Sequence, residues 1–321
     1  MKNQFNVLII GAGQIGAFFD TPKTSNILTH AHAFTNHKNF ILCGFYDTDY
    51  SKSQKAAKLW STKCFKNLRG AFLTNKIDVV CVAVPDKFHH KVLKSIVKYH
   101  PKLVFSEKPI TTSLRSAQEI VDIYKKNHVQ LLINYSRRFV PEIINIKEKI
   151  NNNDFGKFLG GIGYYGKGTM HNGSHLIDLI RFIVGDFKKV KTITVEKDYS
   201  PEDPSTTAII YLENGGTIFL RNINHKLYSI FEADLLFEKG RVKFADSGNK
   251  IVTYKVKENK IYKGYYNLAE EKTIKTSLNK ALYYSANHIY KIITKKTASL
   301  SPSNNALKDL EVCYRLIDAN K

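Results

Sequence analysis

A glycine-rich segment near the start of the chain has the spacing of a phosphate-binding turn. It reads Gly11-Ala12-Gly13-Gln14-Ile15-Gly16, a GxGxxG pattern directly after an apolar run. In such a turn the first glycine permits the tight bend, the second lets the backbone approach a pyrophosphate, and the third allows close packing of helix on strand. A helix that begins here adds free N–H groups and a positive dipole end. We predict that a dinucleotide binds at Gly11, Gly13, Gln14, Ile15 and Gly16; a purely structural turn is the alternative.

An acidic residue at the end of the second apolar run extends this prediction. The residue that binds the adenosine ribose normally follows the turn by about 20 residues, whereas Asp47 comes later. We attribute the extra length to an inserted loop over residues 20–29, before or within the first helix. The Asp47 carboxylate would accept from both ribose hydroxyls and repel a 2′-phosphate, which favours NAD over NADP. The alternative is that Asp47 only begins a turn with Thr48 and Asp49.

The elements that must position these residues alternate between apolar runs and helical segments. The runs have the length of buried strands and cover residues 5–10, 40–46, 77–84, 103–105 and 129–133. Helical segments include residues 88–99 and 113–126, the latter with Ser113 as N-cap. Strands separated by helices indicate βαβ units in a parallel, doubly wound sheet. We therefore predict an α/β fold with a Rossmann domain over residues 1–133.

From residue 134 the pattern changes to that of an α+β domain, residues 134–321. A helix over residues 140–151 precedes strand-like runs at residues 158–165, 190–195, 206–212, 217–223, 230–237 and 242–244. A helix over residues 173–184 interrupts them and stops at Gly185. Further helices are predicted at residues 277–294 and 304–319. We expect an open, mostly antiparallel sheet whose bare face suits a homodimer or homotetramer.

Composition excludes several classes of protein. The 321 residues are 43% hydrophobic and 12% aromatic, too apolar for a disordered chain. The net charge of +21 would suit an anionic partner, but the basic residues are scattered and no nucleic-acid-binding motif is present, so we expect no nucleic acid. No apolar run approaches the ~18 residues of a membrane span, and we expect no membrane partner. The four cysteines lack CxxC spacing, which is typical of a cytoplasmic protein.

Four further segments resemble those of one known family. They are Val82-Ala83-Val84-Pro85 with His89 downstream, Ser106-Glu107-Lys108-Pro109, Asn134-Tyr135-Ser136-Arg137-Arg138-Phe139, and Gly173-Ser174-His175-Leu176-Ile177-Asp178-Leu179. With the glycine-rich turn, their order and spacing resemble the Gfo/Idh/MocA oxidoreductases, the family of glucose-fructose oxidoreductase and inositol dehydrogenase. The resemblance covers essentially the whole chain. It implies a nicotinamide-dependent enzyme that acts on a sugar, cyclitol or nucleotide sugar.

The resemblance also implies roles for individual residues. In the family the lysine of the Glu-Lys-Pro tripeptide, here Lys108, reaches the substrate near the nicotinamide. The histidine in the position of His175 acts as acid and base, and the aspartate three residues later, here Asp178, helps to hold substrate hydroxyls. Other residues of the resembling segments are expected to contact the cofactor or the substrate: Pro85, His89, Glu107 and Lys108 for the cofactor, and Arg138 for the substrate.

Elementary chemistry agrees with the roles of Lys108 and His175. Oxidation of a carbinol requires removal of the hydroxyl proton, and a positioned base contributes typically ~10²–10⁴-fold to the rate. Histidine titrates in the right range, and a lysine ammonium stabilises a developing alkoxide. A lysine at the carboxyl end of a strand in a doubly wound sheet points into the ligand crevice. The alternatives are a surface lysine, a helix-terminal histidine, and Asp178 as a partner of the helix dipole.

One position departs from the family pattern. Many members carry an aspartate four residues before the histidine, where this chain has His171. If the helix includes residue 171, then His171, His175 and Asp178 lie on one face. A histidine here could alter substrate choice, place a donor near an anionic group, or share the role of the base. Two histidines four apart can bind a metal, but no acidic third ligand or Cys cluster accompanies them, so we expect no metal.

The segment over residues 164–173 is rich in glycine and hydrogen-bonding side chains. We interpret it as a substrate loop with contacts from Tyr165, Lys167, His171 and Asn172; a flexible surface loop is the alternative. This segment and the insertion resemble those of surface-polysaccharide and nucleotide-sugar enzymes. The sequence thus predicts an NAD-dependent dehydrogenase or reductase of CH–OH groups. An enzyme that uses NAD transiently in elimination or glycoside cleavage, and a ligand-sensing regulator without catalysis, stay open.

Overall fold

The computed structural model describes residues 4–318, and the chain divides into two units. The first unit runs to Phe139 and also includes Asn279–Leu307. The second consists of Val140–Leu278 and the chain from Lys308 onward. The predicted division into residues 1–133 and 134–321 therefore differs from the structure in its boundary and in the return of residues 279–307 to the first unit.

A parallel sheet forms the centre of the first unit, as predicted. Its strands are β1 (Phe5–Ile10), β2 (Phe40–Tyr46), β3 (Lys63–Phe65), β4 (Val79–Val82), β5 (Leu103–Ser106) and β6 (Gln130–Ile133). Their order, β3-β2-β1-β4-β5-β6, is that of the dinucleotide-binding doubly wound fold. Strand β4 is buried throughout and β1 is buried except at Asn6, which is why both have continuous apolar sequences.

Helices connect these strands, and side chains cap several of them. They are α1 (His30–Asn36), α2 (Tyr50–Leu59), α3 (Leu68–Thr74), α4 (His89–Ile96) and α5 (Leu114–Lys126). Thr29, Asp49 and Asn67 each accept a hydrogen bond from an N–H of the first turn. The predicted cap of α5 is confirmed, because Ser113 Oγ accepts from Ser116 N at 3.2 Å. Local polar residues thus set where these helices begin.

The inserted loop breaks the helix that should follow the glycine-rich turn. Gln14–Phe18 forms a single π-helical turn, and α1 begins only at His30. Between them the Asp20 carboxylate, only 4% exposed, accepts hydrogen bonds from Leu28 N (2.5 Å) and His32 Nδ1 (2.9 Å). A buried carboxylate that is satisfied by several donors holds a loop in one conformation. The insertion is therefore an ordered part of the first unit.

An eight-stranded sheet forms the second unit. Its strands are β7 (Phe158–Tyr165), β8 (Phe187–Glu196), β9 (Ser205–Leu212), β10 (Thr217–Asn222), β11 (Phe231–Phe237), β12 (Gly240–Ala245), β13 (Lys250–Glu258) and β14 (Tyr266–Lys275). The order is β14-β13-β12-β11-β7-β10-β9-β8, and only β7 and β10 pair in parallel. This confirms a mostly antiparallel sheet. Strands β13 and β14 escape prediction because most of their residues are exposed and many are charged.

Two helices of the second unit precede most of its strands, α6 (Pro141–Asn151) and α7 (Ser174–Val184). A Cβ on Gly163 of β7 would lie 3.0 Å from Leu176 and 3.2 Å from Ile180, so this glycine lets α7 pack closely on the sheet. Helix α7 ends at Gly185, whose φ of 105° is accessible to glycine, as the sequence predicted. Close packing thereby fixes the helix that carries His175.

The last helices are α8 (Ala281–Lys295) and α9 (Ser303–Asp318). Helix α8 belongs to the first unit, where Leu282 and Ile289 join the apolar core that contains Phe5 and Phe40. Helix α9 begins in the first unit and continues into the second. An amphipathic pattern shows that one face of a helix is buried, but it does not show which core that face packs against. For this reason α8 was predicted to belong to the second domain.

Between residues 4 and 318 no helix combines the length and the apolar character that a membrane span requires. Over the same range, no three His, Cys, Asp or Glu side chains are grouped as a metal site would need.

Candidate active site

The glycine-rich turn leaves room for a ligand at its second glycine. A Cβ on Gly11, whose φ is 100°, would lie 2.4 Å from the carbonyl oxygen of Ala83, and one on Gly16 would lie 2.3 Å from that of Gly11. No atom lies within 4 Å of a Cβ placed on Gly13. The first and third glycines are thus required by packing within the unit, and the second faces open space that a pyrophosphate could approach.

The helix after this turn is shorter than predicted, because the insertion limits it to Gln14–Phe18. The anion-binding contribution of a helix N-terminus is correspondingly reduced to that of one turn. Gln14 is exposed, and Ile15 is partly buried against the apolar core. Direct cofactor contacts of these two side chains stay predictions.

Asp47 follows β2 and lies beside the glycine-rich turn. Its Oδ2 accepts a hydrogen bond from Ala12 N (2.8 Å), and its Oδ1 accepts one from Asp49 N (2.9 Å). The side chain is half-buried, and each carboxylate oxygen has a second lone pair available. Asp47 can therefore form the turn with Asp49 and also occupy the predicted position for ribose binding. The hydrogen bond from Ala12 N holds its carboxylate next to Gly11.

The carboxyl ends of β5 and β6 carry a buried network next to Lys108. Glu107 Oε1 lies 2.7 Å from His30 Nε2 and accepts from Asn134 Nδ2 at 2.7 Å. Burial acts to raise the pKa of Glu107, but the hydrogen bonds from His30 and Asn134 and the charges of His30 and Lys108 lower it overall. Glu107 is thus held as a carboxylate beside the half-buried Lys108.

Two polar atoms of this network have no hydrogen-bond partner among the residues that the structure describes. They are His30 Nδ1 and Asn134 Oδ1, and both residues are buried. Because Asn134 Nδ2 donates to Glu107, its Oδ1 is an acceptor that needs a donor. The carboxamide NH₂ of a nicotinamide is such a donor. Together with the open Gly13 and the carboxylate of Asp47, this donor and acceptor set fits a nicotinamide dinucleotide.

His89 has a different role from the one predicted. Its buried ring has Nδ1 2.6 Å from the Pro109 carbonyl oxygen and Nε2 2.9 Å from that of Val84. Both nitrogens are thus occupied by backbone, and the ring joins the segment after β4 to the segment after β5. The predicted cofactor contact is replaced by a positioning role. Pro85, which is exposed at the start of the turn Asp86–Phe88, stays a predicted contact.

Arg138 lies in the interior of the first unit. One guanidinium nitrogen donates to the Leu300 carbonyl oxygen at 3.0 Å, and the residue is buried. This contact fastens the returning segment 279–307 to the turn that follows β6. A substrate contact of Arg138 stays a prediction.

In the second unit, helical backbone continues from a π-helical turn, Gly168–Gly173, into α7. The helix therefore includes residue 171, but the wider turn changes the direction of side chains before Ser174. His171 is exposed, His175 is half-buried, and Asp178 is only 1% exposed. The wider turn affects the direction of His171 alone, because His175 and Asp178 both belong to α7, and the three side chains differ in accessibility. Of them, His175 stands in the first turn of α7.

The predicted substrate contact of Tyr165 is wrong. Its side chain is 0% exposed at the end of β7, where the hydroxyl accepts from Thr206 N (2.7 Å) and lies 2.9 Å from both Thr206 O and Thr169 Oγ1. Burial raises the pKa of Tyr165 to about 12. The side chain of the last residue of β7 points towards α7, as strand alternation requires, and Tyr165 is a core residue.

The rest of the predicted substrate loop is ordered. Asp203 accepts from Met170 N (2.7 Å) and His171 N (2.8 Å), and Asn172 Nδ2 donates to the Gly166 carbonyl oxygen (3.0 Å). Lys167 has a φ of 70°, a left-handed conformation that such contacts must hold. These hydrogen bonds favour an ordered loop over a flexible one, and substrate contacts of Lys167, His171 and Asn172 stay predictions.

Sequence reasoning missed two aromatic rings next to this loop. Tyr199 follows β8 and His225 follows β10, and their ring centroids are 5.7 Å apart. Asp198 Oδ2 accepts from His225 N at 3.4 Å; burial acts to raise the pKa of Asp198, but hydrogen bonds from Ser205 and His225 lower it overall. Parallel pairing of β7 with β10 brings the loop of His225 to the substrate loop, and the pairing of β9 with both β10 and β8 brings the loop of Tyr199 to the same end of the sheet. No local motif marks them, so only the pairing of strands could have found them.

Comparison with known proteins identifies what the chain is similar to. Residues 5–135 match the model of the oxidoreductase family with an NAD-binding Rossmann fold. Inositol 2-dehydrogenase of Corynebacterium glutamicum is 25% identical over 265 residues, which cover 75% of this chain and 73% of the relative. D-glucoside 3-dehydrogenase of Escherichia coli is 23% identical over 258 residues, which cover 68% and 70%.

A solved structure extends the similarity to both units. The WlbA dehydrogenase from Bordetella pertussis, in complex with NADH and UDP-GlcNAcA, has a TM-score of 0.78 with this chain at 16% sequence identity. The match covers 99% of this chain and 97% of that protein. At this identity, the likeness shows a shared fold.

Proposed function

Because the chain belongs to the Gfo/Idh/MocA family of oxidoreductases and its first unit is an NAD-binding Rossmann domain, we propose that it is a dehydrogenase or reductase of a nucleotide sugar. Family membership covers sugars, cyclitols and nucleotide sugars more generally. The observation that carries the proposal is the shared edge of the first sheet, where the glycine-rich turn, Asp47 and Glu107-Lys108 follow β1, β2 and β5. Ligands of doubly wound folds bind at this edge.

NAD would be held by residues that the first unit already orders. The backbone at Gly13 is open to the pyrophosphate, and Asp47 would accept from the ribose hydroxyls and disfavour a 2′-phosphate. Asn134 Oδ1 would accept from the carboxamide. When bound, NAD supplies the two-electron acceptor or donor of the reaction.

Lys108 and His175 would stabilise and deprotonate the hydroxyl group that reacts. The charge of Lys108 helps to lower the pKa of Glu107, so a cation and a carboxylate lie side by side here, and the Lys108 ammonium group would stabilise an alkoxide. His175 is half-buried in the first turn of α7 and would remove the hydroxyl proton during oxidation. Glu107, fixed by His30 and Asn134, positions the backbone from which Lys108 projects.

The test is a screen of sugars, cyclitols and nucleotide sugars in both directions, with NAD(H) and NADP(H), by nicotinamide absorbance. Lys108→Ala and His175→Ala should each lower kcat by about 10²-fold or more while the Kd for NADH stays within about threefold. Lys102→Ala and His100→Ala, which change exposed residues of the same types, serve as matched controls. Full activity of both site variants would refute the catalytic assignment.

The same screen separates the two alternative functions. Substrate conversion without a net change in nicotinamide absorbance would show that NAD is used transiently, as in elimination or glycoside cleavage. Ligand binding without conversion in either direction would favour a sensing regulator.

A role in surface-polysaccharide synthesis, a cytoplasmic location and a homo-oligomeric state belong to the same proposal. Among residues 4–318 no disulfide is formed by Cys43, Cys64, Cys81 or Cys313, which agrees with a reducing location. Exposed apolar side chains on the sheet of the second unit, Ile162, Phe219 and Leu236, suit contact with a second copy. Light scattering after size-exclusion chromatography tests the oligomeric state.

A further inference from the structure

A cavity of about 640 Å³ lies in the first unit, away from the cofactor residues of that unit. We call it the α3 cavity, and the lining residues that matter here are Arg69, Phe72, Lys76, Lys98 and Tyr99. We propose that the α3 cavity binds a small organic anion, a phosphate or a carboxylate carried on an aromatic body. The proposed function uses none of these residues, so this binding site is independent of it.

The α3 cavity lies at the amino ends of two central strands. Helix α3 precedes β4, and the helical turn Val97–Tyr99 precedes β5. The glycine-rich turn and Glu107-Lys108 instead follow the carboxyl ends of β1 and β5. Because β1, β4 and β5 are parallel, the cavity and these residues lie at opposite edges of the same sheet. Strand β4 alone is four residues, or about 13 Å, long. A ligand in the cavity would therefore leave the cofactor edge free.

Two aromatic rings form an apolar wall of the α3 cavity. The ring centroids of Phe72 and Tyr99 are 4.0 Å apart, and the ring planes differ by 7°. This stack joins α3 to the turn that precedes β5. Both side chains are half-buried, so part of each ring stays accessible, and Leu73, which is 74% exposed, extends the apolar surface to the rim. A flat aromatic ligand would pack well against such a wall.

Cationic side chains surround the aromatic wall. Arg69 lies three residues before Phe72, a spacing that places both side chains on one face of α3. Lys98 Nζ is 5.3 Å from the centroid of the Tyr99 ring, and Lys76 lies in the segment before β4. Arg69, Lys76 and Lys98 are exposed, and none of them forms a salt bridge within the described part of the chain. Their N–H donors can therefore turn to an anion.

One carboxylate occurs among the described residues that line the cavity, and it is already engaged. Asp78 is 7% exposed, and its Oδ2 accepts a hydrogen bond from Asn6 N at 3.0 Å. Its Oδ1 lies 3.4 Å from Lys102 Nζ, and its carbonyl oxygen accepts from Lys102 N at 2.8 Å. Asp78 and Lys102 thus offset each other's charge. The three remaining cations give the cavity an excess of positive charge, which favours an anionic ligand.

The size of the α3 cavity suits a small molecule. Sites for such ligands are typically ~300–1,000 Å³ in volume and combine an apolar lining with a few polar groups that orient the ligand. The α3 cavity lies within this range and offers both kinds of contact. Charge-assisted hydrogen bonds from Arg69 and the two lysines would hold the anionic group, while the ring of the ligand packs against Phe72 and Tyr99.

Isothermal titration of the protein saturated with NADH tests this inference. NADH excludes the probes from the cofactor edge, and physiological ionic strength screens general attraction to a basic surface. The probes are 1-naphthyl phosphate, 1-naphthoate, 1-naphthol and inorganic phosphate. We expect 1-naphthyl phosphate, 1-naphthoate or both to bind about tenfold or more tightly than 1-naphthol and inorganic phosphate, because only they carry a ring and a charge together. The comparison of the two naphthalene anions distinguishes a phosphate from a carboxylate.

Matched variants locate the bound probe. Arg69→Gln and Lys98→Gln should each weaken the tighter anionic probe by about fivefold or more. Arg115→Gln and Lys91→Gln remove the same charges from exposed residues outside the cavity, and should each change the Kd less than about twofold. Phe72→Leu removes one ring of the stack and should weaken the same probe by about fivefold. Thermal unfolding of each variant shows whether a loss of binding comes from a loss of fold.

Three outcomes would overturn the inference. The first is that neither naphthalene anion binds more tightly than 1-naphthol. The second is that Arg115→Gln weakens binding as much as Arg69→Gln. The third is a Kd that rises about tenfold or more when NADH is added, because the probe would then occupy the cofactor edge. Turnover is a separate readout: a failure of the α3 cavity leaves the proposed dehydrogenase standing, and an absence of turnover leaves the α3 cavity standing.

Discussion

Replacement of Tyr165 by Phe isolates a single buried hydroxyl. The hydroxyl accepts a hydrogen bond from Thr206 N at 2.7 Å, and both residues are 0% exposed. Phenylalanine keeps the ring and its packing but leaves the Thr206 N–H without its acceptor. A buried donor left unsatisfied costs about 1–3 kcal/mol. We therefore expect Tyr165→Phe to lower the free energy of unfolding by about that amount.

Urea unfolding at neutral pH measures this change, with fluorescence and circular dichroism as two probes of the transition. The matched control is Tyr164→Phe, because Tyr164 is half-buried and points to the opposite face of β7. We expect the control to stay within about 0.5 kcal/mol of the parent. The KM for any substrate found in the screen should change less than about twofold in both variants, since neither hydroxyl is assigned to the substrate.

The opposite result would support the prediction from the sequence that Tyr165 contacts the substrate. If Tyr165→Phe unfolds at the same urea concentration as the parent and its KM rises about tenfold, then the hydroxyl binds substrate. The buried hydrogen bonds that place it in the core would then not describe the protein in solution.

Three further predictions concern a buried ion pair, a buried histidine and cofactor choice. Asp309→Asn removes one carboxylate from the buried Arg181 guanidinium, which retains Asp186, and should lower the unfolding free energy by about 3 kcal/mol in urea titration. Burial lowers the pKa of His288 to about 4, and its Nε2 accepts from Leu300 N. Because this pKa lies below that of an unfolded histidine, the free energy of unfolding is highest above about pH 6.5 and falls by about 3 kcal/mol as the pH drops to 4. His288→Gln should reduce this dependence of the unfolding free energy on pH. Asp47→Asn should lower the ratio of the NADPH to the NADH dissociation constant by about tenfold or more in fluorescence titration, because a repelling charge is removed.

Each of these predictions has a contradicting outcome. An unchanged urea midpoint for Asp309→Asn would mean that Asp186 alone satisfies Arg181. A parent protein and a His288→Gln variant with parallel stability curves between pH 7 and 4 would place the titrating group elsewhere. An unchanged cofactor ratio, with Asp49→Asn as the control for a lost charge nearby, would remove Asp47 from the ribose site.

Features that depend on a few neighbouring residues were predicted well from the sequence. The glycine-rich turn, the Ser113 cap and the stop at Gly185 each require one backbone conformation or one nearby acceptor, which the residue type reveals. The place of Asp47 at the end of β2 was predicted despite the insertion because the apolar residues of β2 locate the end of that strand, while its contact with the ribose stays a prediction. The parallel and the mostly antiparallel sheet follow from hydrophobic patterns of the same short range.

Features that depend on the pairing of distant segments were missed. Tyr199 and His225 approach each other because β8 and β10 both pair antiparallel with β9 and therefore end at the same edge of the sheet, and nothing near either residue signals this. Tyr165 was assigned to a loop because the segment after it is rich in glycine, although its own place in β7 gives it an inward side chain. Helix α8 has a clear apolar face, but its sequence does not state which of two cores accepts that face.

During synthesis, the cofactor-binding unit can complete its core only after α8 has been made. Its strands and helices up to Phe139 leave the ribosome first, yet α8, whose Leu282, Ala286 and Ile289 complete the same core as Phe5 and Phe40, is translated only after all of β7–β14. Most chains fold their N-terminal domain first. Here the N-terminal segment stays incomplete, with apolar surface exposed, until the ribosome has passed α8. Nascent chains halted before residue 279 should therefore bind chaperones and fail to retain NADH, even though every residue of the glycine-rich turn has been made.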